Sequence, residues 1–238
     1  MCIRDRDSSG IPTDKGVEPK VGGNEESFPQ GQIAMLASLE GVRILYDLSH
    51  GEKHEQAYTT LISDLRIRGA IVSEFDGESI EDKALSGYNI LWVDEWGVKS
   101  WTQSEIDAVL LWIMEDRGSV IFHGDELYSA EALAKAIGFE YTGSEVPPGD
   151  TIILPHCSTA GVNSLSLPSV KNSIQPQKFP STYTLVQKKG ESIYHIVVCR
   201  ETGNTENDCY YERGKAIAIS EDLMHDAIIS EADNQLFA

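Results

Sequence analysis

Residues 44–55 read ILYDLSHGEKHE, and this stretch decides the fold that we expect for the chain. It starts as an apolar run, which is typical of a strand buried on both faces of a parallel sheet. It ends in acids, a serine and two histidines. In an open parallel sheet, residues in that position lie beyond the carboxyl end of the strand, where ligands bind.

Strand-like and helix-like segments alternate along the chain that follows. The predicted strands are residues 42–48, 70–75, 89–93 and 119–122, and the predicted helices are residues 54–68, 79–86, 102–115 and 129–137. Thr102 and Glu105 form a capping-box pattern at the start of the third helix, and Gly138 ends the fourth. This order predicts a three-layer α/β fold with a mostly parallel sheet between helices.

The pattern changes between residues 144 and 213, where prolines interrupt any helical period. The short runs TIIL, SLSL, TYTLVQ and YHIVVCR predict a β-rich, antiparallel insertion or sheet extension before the last strand. Residues 215–219, KAIAI, read as that last strand, of the parallel type. Cys199 and Cys209 flank a polar loop, and either a disulfide across a hairpin or two free thiols fits this arrangement.

The net charge of −19, from 38 acidic and 19 basic residues, limits the choice of partners. Nucleic acid and anionic membrane surfaces both require a basic face, so we exclude them as main partners. No apolar run reaches the ~18 residues that a membrane-spanning helix needs. Another protein or a small polar ligand therefore remains as the expected partner.

The N-terminal region reads differently from the rest. Residues 1–6, MCIRDR, resemble the translated remnant of a sequencing adapter at the end of a metagenomic contig. Residues 7–30 are rich in glycine, proline, serine and charge, which is typical of a linker. We expect a disordered or linker segment at residues 1–40 and one domain at residues 41–238. Because Met1 need not be the natural start, the compartment is left open, including export or a cell-surface position.

Acids and histidines follow several of the predicted strands, where the site of such a sheet is expected. The candidate ligands for a divalent metal such as zinc, manganese or iron are Asp47, His50, His123 and Asp125, and the last three are also the candidate catalytic groups. The candidate contacts to a ligand or partner are Glu52, Asp94, Glu95, Trp96, Glu221 and Asp222. Helix capping and plain solvation are the competing interpretation of Asp125, Glu221 and Asp222.

Two histidines are each followed by a glycine at a strand exit, His50-Gly51 and His123-Gly124. We expect both rings to point into the mouth of the sheet, where the two histidines either form one site or are ordinary loop residues. His50 and His54 also have the spacing of two zinc ligands on a helix, but Gly51 interrupts the H-E-x-x-H motif.

The common catalytic and cofactor motifs are absent from the sequence. A nucleophile elbow needs a serine or cysteine on a sharp strand-to-helix turn, and the predicted third and fourth strands lead into VDEWG and FHGDE instead. No glycine-rich phosphate loop occurs, so no nucleotide cofactor is predicted. A divalent metal stays an open alternative.

Several segments together resemble the class I glutamine-amidotransferase-like superfamily, in particular its branches of unknown function and its ThuA-like and GIFT relatives. They are VRILYDLSHGE, YNILWVDEWG, the helix and strand that lead into SVIFHGD, PHCSTAGVNSLSLP and RGKAIAISED, so the resemblance covers residues 42–238. It implies a flavodoxin-like sheet. It also implies a further C-terminal helix, so we expect the chain to be truncated there.

The resemblance places the nucleophilic cysteine of active amidotransferases after the strand that reads SVIFHGD here. This chain has His123, Gly124 and Asp125 at that point, and Glu221 after the last strand has no adjacent histidine. A Cys–His–Glu glutaminase triad is therefore not expected.

Two hypotheses for function follow. The leading one is a non-catalytic or diverged domain that serves as a ligand- or protein-binding module of a larger protein. The alternative is a metal-assisted hydrolase or sugar-active enzyme that uses Asp47, His50, His123 and Asp125 at the strand ends. The missing nucleophile favours the first hypothesis, and the cluster of acids and imidazoles motivates the second.

Overall fold

The computed structural model describes residues 38–51, 58–94, 98–124, 129–143, 145–146, 150–154, 162–163, 165, 172–176, 182–190, 195–201 and 215–219. All of these residues belong to one compact unit, Ser38–Ala238. Residues 1–37 lie outside the described part, so the predicted linker and its boundary at residue 40 stay predictions. The predicted C-terminal truncation also stays a prediction.

Strands and helices alternate in the described part as the sequence pattern indicates. The strands are β1 (Arg43–Asp47), β2 (Ile71–Phe75), β3 (Ile90–Asp94), β4 (Ser119–His123), β5 (Phe139–Tyr141), β6 (Thr151–Ile153), β7 (Ile174–Pro176), β8 (Thr182–Lys188), β9 (His195–Glu201) and β10 (Lys215–Ile219). The helices are α1 (Thr59–Ile67), α2 (Asp82–Leu85), α3 (Gln103–Glu115) and α4 (Glu131–Ile137). None of these helices is long and apolar enough to cross a membrane.

Five strands form the parallel centre of one sheet, in the order β2-β1-β3-β4-β10. β9 continues the sheet antiparallel to β10, and β8 pairs antiparallel with β9. The short strands β5, β6 and β7 pair antiparallel within this extension. The predicted α/β fold, with a mostly parallel flavodoxin-like sheet and a β-rich insertion before the last strand, is confirmed.

Side chains on the central strands alternate between two faces of the sheet, and each face has its own core. On one face, which we call the α1 face, Tyr46 belongs to a hydrophobic cluster with Leu61 of α1. On the other, the α3 face, Leu45 belongs to a cluster with Val109 of α3. Trp92 is also buried on the α1 face.

The capping box predicted at the start of α3 is present. The Glu105 backbone N–H donates to Thr102 Oγ1 at 3.4 Å, and the Thr102 backbone N–H donates to Glu105 Oε2 at 2.8 Å. The predicted end of α4 is also present, because Gly138 adopts a φ of 116° in the left-handed region that favours glycine.

Two short strands, β5 and β7, were not predicted. Each has three residues, which is too few to show an alternating period, and β7 ends in Pro176. Their pairing with each other is set by the sheet extension rather than by local pattern. The predicted strand SLSL lies mostly outside the described residues and stays a prediction.

Candidate functional site

The carboxyl ends of β1, β3 and β4 lie side by side at one end of the sheet. β2 lies on one side of β1 and β3 on the other, so the strand order reverses between β1 and β3. In sheets of this type, ligands bind at such a switch point. Asp47, Asp94 and His123 end these three strands, and Asp94 is opposite His123 in the register of β3 and β4.

The Asp94 carboxylate is the centre of a buried cluster on the α1 face. It accepts hydrogen bonds from the hydroxyls of Tyr46 at 2.8 Å and of Tyr58 at 2.9 Å. His123 Nδ1 lies 4.0 Å from Asp94 Oδ1, and the His123 and Tyr58 rings meet edge-on with centroids 5.5 Å apart. The Trp92 ring packs against both tyrosine rings. We call these five residues the Asp94 cluster.

The Tyr46 hydroxyl acts as a hydrogen-bond donor in this cluster. Burial raises the pKa of Tyr46 far above its ordinary value, and the charge and hydrogen bond of the Asp94 carboxylate raise it further. A tyrosine that serves as a general base has to ionise readily. Tyr46 is therefore suited to holding the Asp94 carboxylate and not to proton transfer.

A second buried cluster lies on the α3 face, around His50. His50 Nδ1 is 2.8 Å from Asp47 Oδ2, and His50 Nε2 is 3.3 Å from Glu105 Oε1. The imidazole stacks on the Trp101 indole with centroids 4.1 Å apart. Ser49 donates its backbone N–H and its hydroxyl to Asp47 Oδ1, which turns the chain after β1. We call these five residues the His50 cluster.

Glu105 connects the His50 cluster to the start of α3 and to the segment before α2. Its carboxylate accepts hydrogen bonds from the Thr102 N–H, the Thr102 hydroxyl and the Ile80 N–H. Burial alone would raise the pKa of Glu105, but these hydrogen bonds and the charge of His50 outweigh it and lower the pKa to about 2. The carboxylate is therefore charged at neutral pH and holds the start of α3 in place.

The prediction that His50 and His123 form one site is wrong, because the two histidines lie in different clusters on opposite faces of the sheet. His123 is two residues after Ile121, which packs on the α1 face, so its side chain points to that face. Asp47 is two residues after Leu45 on the α3 face, and His50 joins it there.

Neither histidine ring points into an open mouth of the sheet, so the expectation that both rings do so is also wrong. The exposed fraction is 2% for His50 and 0% for His123. The turn at Ser49 folds the His50 ring back onto Trp101, and the His123 ring packs among the aromatic side chains of the Asp94 cluster. A glycine after the histidine therefore marks the turn and does not expose the ring.

The described residues contain no group of three or more His, Cys, Asp or Glu side chains arranged to hold a metal ion. Among the predicted ligands, Asp47 and His50 are in contact, whereas His123 belongs to the other cluster. The predicted residues that lie outside the described part, and so stay predictions, are Glu52, His54, Glu95, Trp96, Asp125, Cys209, Glu221 and Asp222.

The end of β4, where an elbow nucleophile would be expected, carries neither a thiol nor a hydroxyl on its two described residues. His123 is completely buried there, and Gly124 follows it with a φ of 129°. The Gly124 N–H donates to the Ile219 carbonyl at 3.1 Å, which ties the exit of β4 to β10. Nucleophilic catalysis needs an exposed Ser or Cys at this turn, and these residues supply neither.

Six members of these clusters were not predicted as site residues: Tyr46, Ser49, Tyr58, Trp92, Trp101 and Glu105. Tyr46 reads as part of an apolar strand, and Glu105 reads as a helix cap only. The sequence carries one signal for Tyr46, because side chains two residues apart on a strand point to the same face. Tyr46 is the register partner of Trp92, and Trp92 lies two residues before Asp94, so Tyr46 and Asp94 share a face. Tyr58 has no such signal, since it precedes α1 and reaches Asp94 only through the tertiary fold.

No protein-family model matches the chain, and no curated protein matches it in sequence. Solved structures do share its fold. The N-terminal domain of mmIFT52 aligns with a TM-score of 0.61 and 13% identity, covering 82% of this chain and 93% of that domain. A glutamine amidotransferase from Thermotoga maritima aligns with a TM-score of 0.50 and 10% identity, covering 78% of this chain and 77% of that one. The chain therefore has a glutamine-amidotransferase-like fold, and at these identities the likeness shows the fold alone.

Proposed function

We propose that the chain is a diverged glutamine-amidotransferase-like domain without catalytic activity, which serves as a ligand- or protein-binding module of a larger protein. The observation that carries this proposal is that the Asp94 carboxylate, which lies at the switch point, is already hydrogen-bonded within the protein. Its carboxylate is held by the hydroxyls of Tyr46 and Tyr58, and His123 is buried beside it.

The strand-end groups are directed at each other and away from solvent. Asp47, Asp94 and Glu105 are each buried, and each carboxylate accepts hydrogen bonds from neighbouring side chains. Catalytic acids and bases have to come within hydrogen-bond reach of a substrate proton. Buried hydrogen-bonded networks of this kind instead fix the positions of the elements that they join.

The fold comparison supports an assignment within the superfamily. The TM-score with the mmIFT52 N-terminal domain is higher than that with the amidotransferase, and the alignment covers 93% of that domain against 77% of the amidotransferase chain. Both likenesses show the fold alone, so the proposed branch near the GIFT domains rests on the sequence segments that resemble it and on the missing thiol in SVIFHGD.

An activity screen of the full chain tests the proposal. Ammonia release from L-glutamine and hydrolysis of nitrophenyl esters, phosphates and glycosides would be followed with Mg²⁺, Mn²⁺ or Zn²⁺ and with EDTA. The matched variants are Asp94→Asn and His50→Gln, one for each cluster. We expect the rates of the wild-type chain and of both variants to equal the rate without protein.

Turnover by the wild-type chain that either variant abolishes, in a sample that remains folded by circular dichroism, would overturn the proposal. If that turnover also required an added metal, the metal-assisted hydrolase would replace the binding module as the better description. His50→Gln and Asp94→Asn would then tell which face of the sheet carries the site.

A further inference from the structure

The outer edge of β2 is open in the described part of the chain. β2 is the first strand of the sheet, and β1 is its only described neighbour. The Ile71 N–H donates to the Val42 carbonyl at 2.9 Å, and the Phe75 carbonyl accepts from the Leu48 N–H at 2.8 Å. Backbone groups alternate in direction along a strand, so those of Val72 and Glu74 point away from β1.

Only one of these outward groups has a described side-chain partner. Arg66 Nη2 of α1 donates to the Val72 carbonyl at 3.1 Å. This contact leaves the Val72 N–H and both backbone groups of Glu74 facing outward. An open row of this kind is a template for pairing with another chain, unless charge, proline or a covering segment blocks it.

Apolar side chains flank the open edge. Ile67, at the end of α1, is 80% exposed, and Ile71, at the start of β2, is 49% exposed. A cleft of about 440 Å³ lies between α1 and the edge. Its lining residues are Thr59, Ile62, Ser63, Arg66, Ile67 and Glu74. The edge therefore offers backbone hydrogen bonds for affinity and a side-chain cleft for selectivity, as strand-addition sites do.

We propose that the outer edge of β2 takes an extended, basic segment of a partner protein as an additional strand. This inference rests on the proposed function and names the surface and the kind of partner for it. The segment pairs with the backbone of Val72 and Glu74 and places one apolar side chain in the cleft beside Ile67.

Charge selects a basic partner. The exposed acids Glu74 and Glu78 lie on and just after β2, and the chain as a whole carries a net charge of −19. Arg66, the nearest cation in the cleft, already donates to the Val72 carbonyl. A second copy of the chain would bring the same acids against each other across the new edge, which like-charge repulsion disfavours.

The test uses the full chain and a synthetic probe, an eight-residue peptide of alternating lysine and valine with blocked ends. The control peptide has the same residues with its four central amide nitrogens methylated, so it keeps the charge and loses the donors. Amide hydrogen exchange at Val72 and Glu74 and a titration at 0.15 M salt are the readouts.

Four variants separate the contributions to binding. Glu74→Pro removes the outward N–H and the charge, whereas Glu74→Gln removes the charge only. Ile67→Ser removes the apolar side chain from the cleft without adding charge, and Met114→Ser makes the same kind of change at a residue of α3 that is 58% exposed. Circular dichroism checks that each variant is folded, and Glu74→Gln and Ile67→Ser keep the test valid if the proline variant is not.

We expect the probe to slow exchange at Val72 and Glu74, and the methylated peptide to have no effect. Glu74→Pro should weaken binding at least about tenfold and Glu74→Gln about threefold. Ile67→Ser should weaken it about fivefold, and Met114→Ser should leave it unchanged.

Absence of binding, equal binding of the methylated peptide, or full binding by Glu74→Gln and Ile67→Ser would overturn the inference. Protection of the Val72 amide that grows with chain concentration without any peptide would assign the edge to a second copy. These outcomes leave the proposed function standing with another surface, whereas turnover in the activity screen would remove the proposed function itself.

Discussion

The imidazole of His50 and the carboxylate of Glu105 lie 3.3 Å apart, and both side chains are almost completely buried. One belongs to the turn after β1 and the other to the first turn of α3. The His50 carbonyl also accepts hydrogen bonds from the N–H groups of Val98 and Lys99, so the same turn anchors the segment that leads into α3. A polar pair at the strand ends thus holds two parts of the fold together.

Glu105→Gln tests the role of this carboxylate through its pH dependence. The folded-state pKa of about 2 lies below the ordinary value of 4.5, so the stabilisation is present above pH 4.5 and is lost as the pH falls toward 2. We expect the difference in free energy of unfolding between wild type and variant to shrink by about 2 kcal/mol from pH 7 to pH 3. Urea denaturation at both pH values measures this difference.

The control for that experiment is Glu115→Gln, an exposed glutamate in the last turn of the same helix. Its difference from wild type should stay within about 0.5 kcal/mol at both pH values. A wild-type advantage over Glu105→Gln that does not change with pH would contradict the role assigned to the charged carboxylate.

Tyr46→Phe tests the Asp94 cluster through the dependence of stability on alkaline pH. Burial and the Asp94 carboxylate raise the pKa of Tyr46, so its stabilising effect is present below about pH 10 and is lost as the pH rises further, because only the unfolded tyrosine ionises. The variant should be less stable by about 2 kcal/mol at pH 8, and this deficit should shrink by about 1 kcal/mol at pH 11. Tyr88→Phe, at a half-buried tyrosine just before β3, is the control for denaturation at both pH values.

Gly118→Ala tests the packing that supports α3 and β4. A Cβ atom at Gly118 would lie 2.3 Å from the ring of the buried Trp112, so the indole or the backbone would have to move. We expect a loss of about 2 to 3 kcal/mol in free energy of unfolding. Gly87→Ala, which meets no atom within 4 Å but has a φ of +79°, should cost only about 1 kcal/mol. Equal losses in free energy of unfolding for the two variants would contradict this prediction, because the Trp112 indole would then move aside without a cost in stability.

The alternating fold was predictable from the sequence because each central element is specified by its own residues. β1 and β3 are apolar runs, and α3 has the Thr102–Glu105 capping box in front of an amphipathic pattern. β5 and β7 were not predictable, since three residues carry no period and only the neighbouring strands stabilise them.

The candidate site was predictable only in part. The sequence places Asp47, Asp94 and His123 at adjacent strand ends, and they lie there. Their partners depend on which face each side chain takes and on contacts distant in sequence, such as Tyr58 with Asp94. Because side chains alternate along a strand, Asp47 with its neighbour His50 lies on the α3 face and His123 lies on the α1 face. Both histidines are also buried, which a sequence pattern does not reveal.

The free energy of unfolding of Asp94→Asn tests the central claim that the strand-end polar groups hold the fold and do not perform chemistry. The variant keeps the size of the side chain and removes the charged carboxylate, which accepts hydrogen bonds from the Tyr46 and Tyr58 hydroxyls. We predict a loss of about 2 to 3 kcal/mol in urea denaturation at pH 7, since two hydrogen bonds to a buried charge are weakened. Active-site groups are commonly kept at a cost in stability, so their replacement tends to stabilise a protein. An Asp94→Asn chain as stable as wild type, or more stable, would contradict the account and make Asp94 a catalytic candidate.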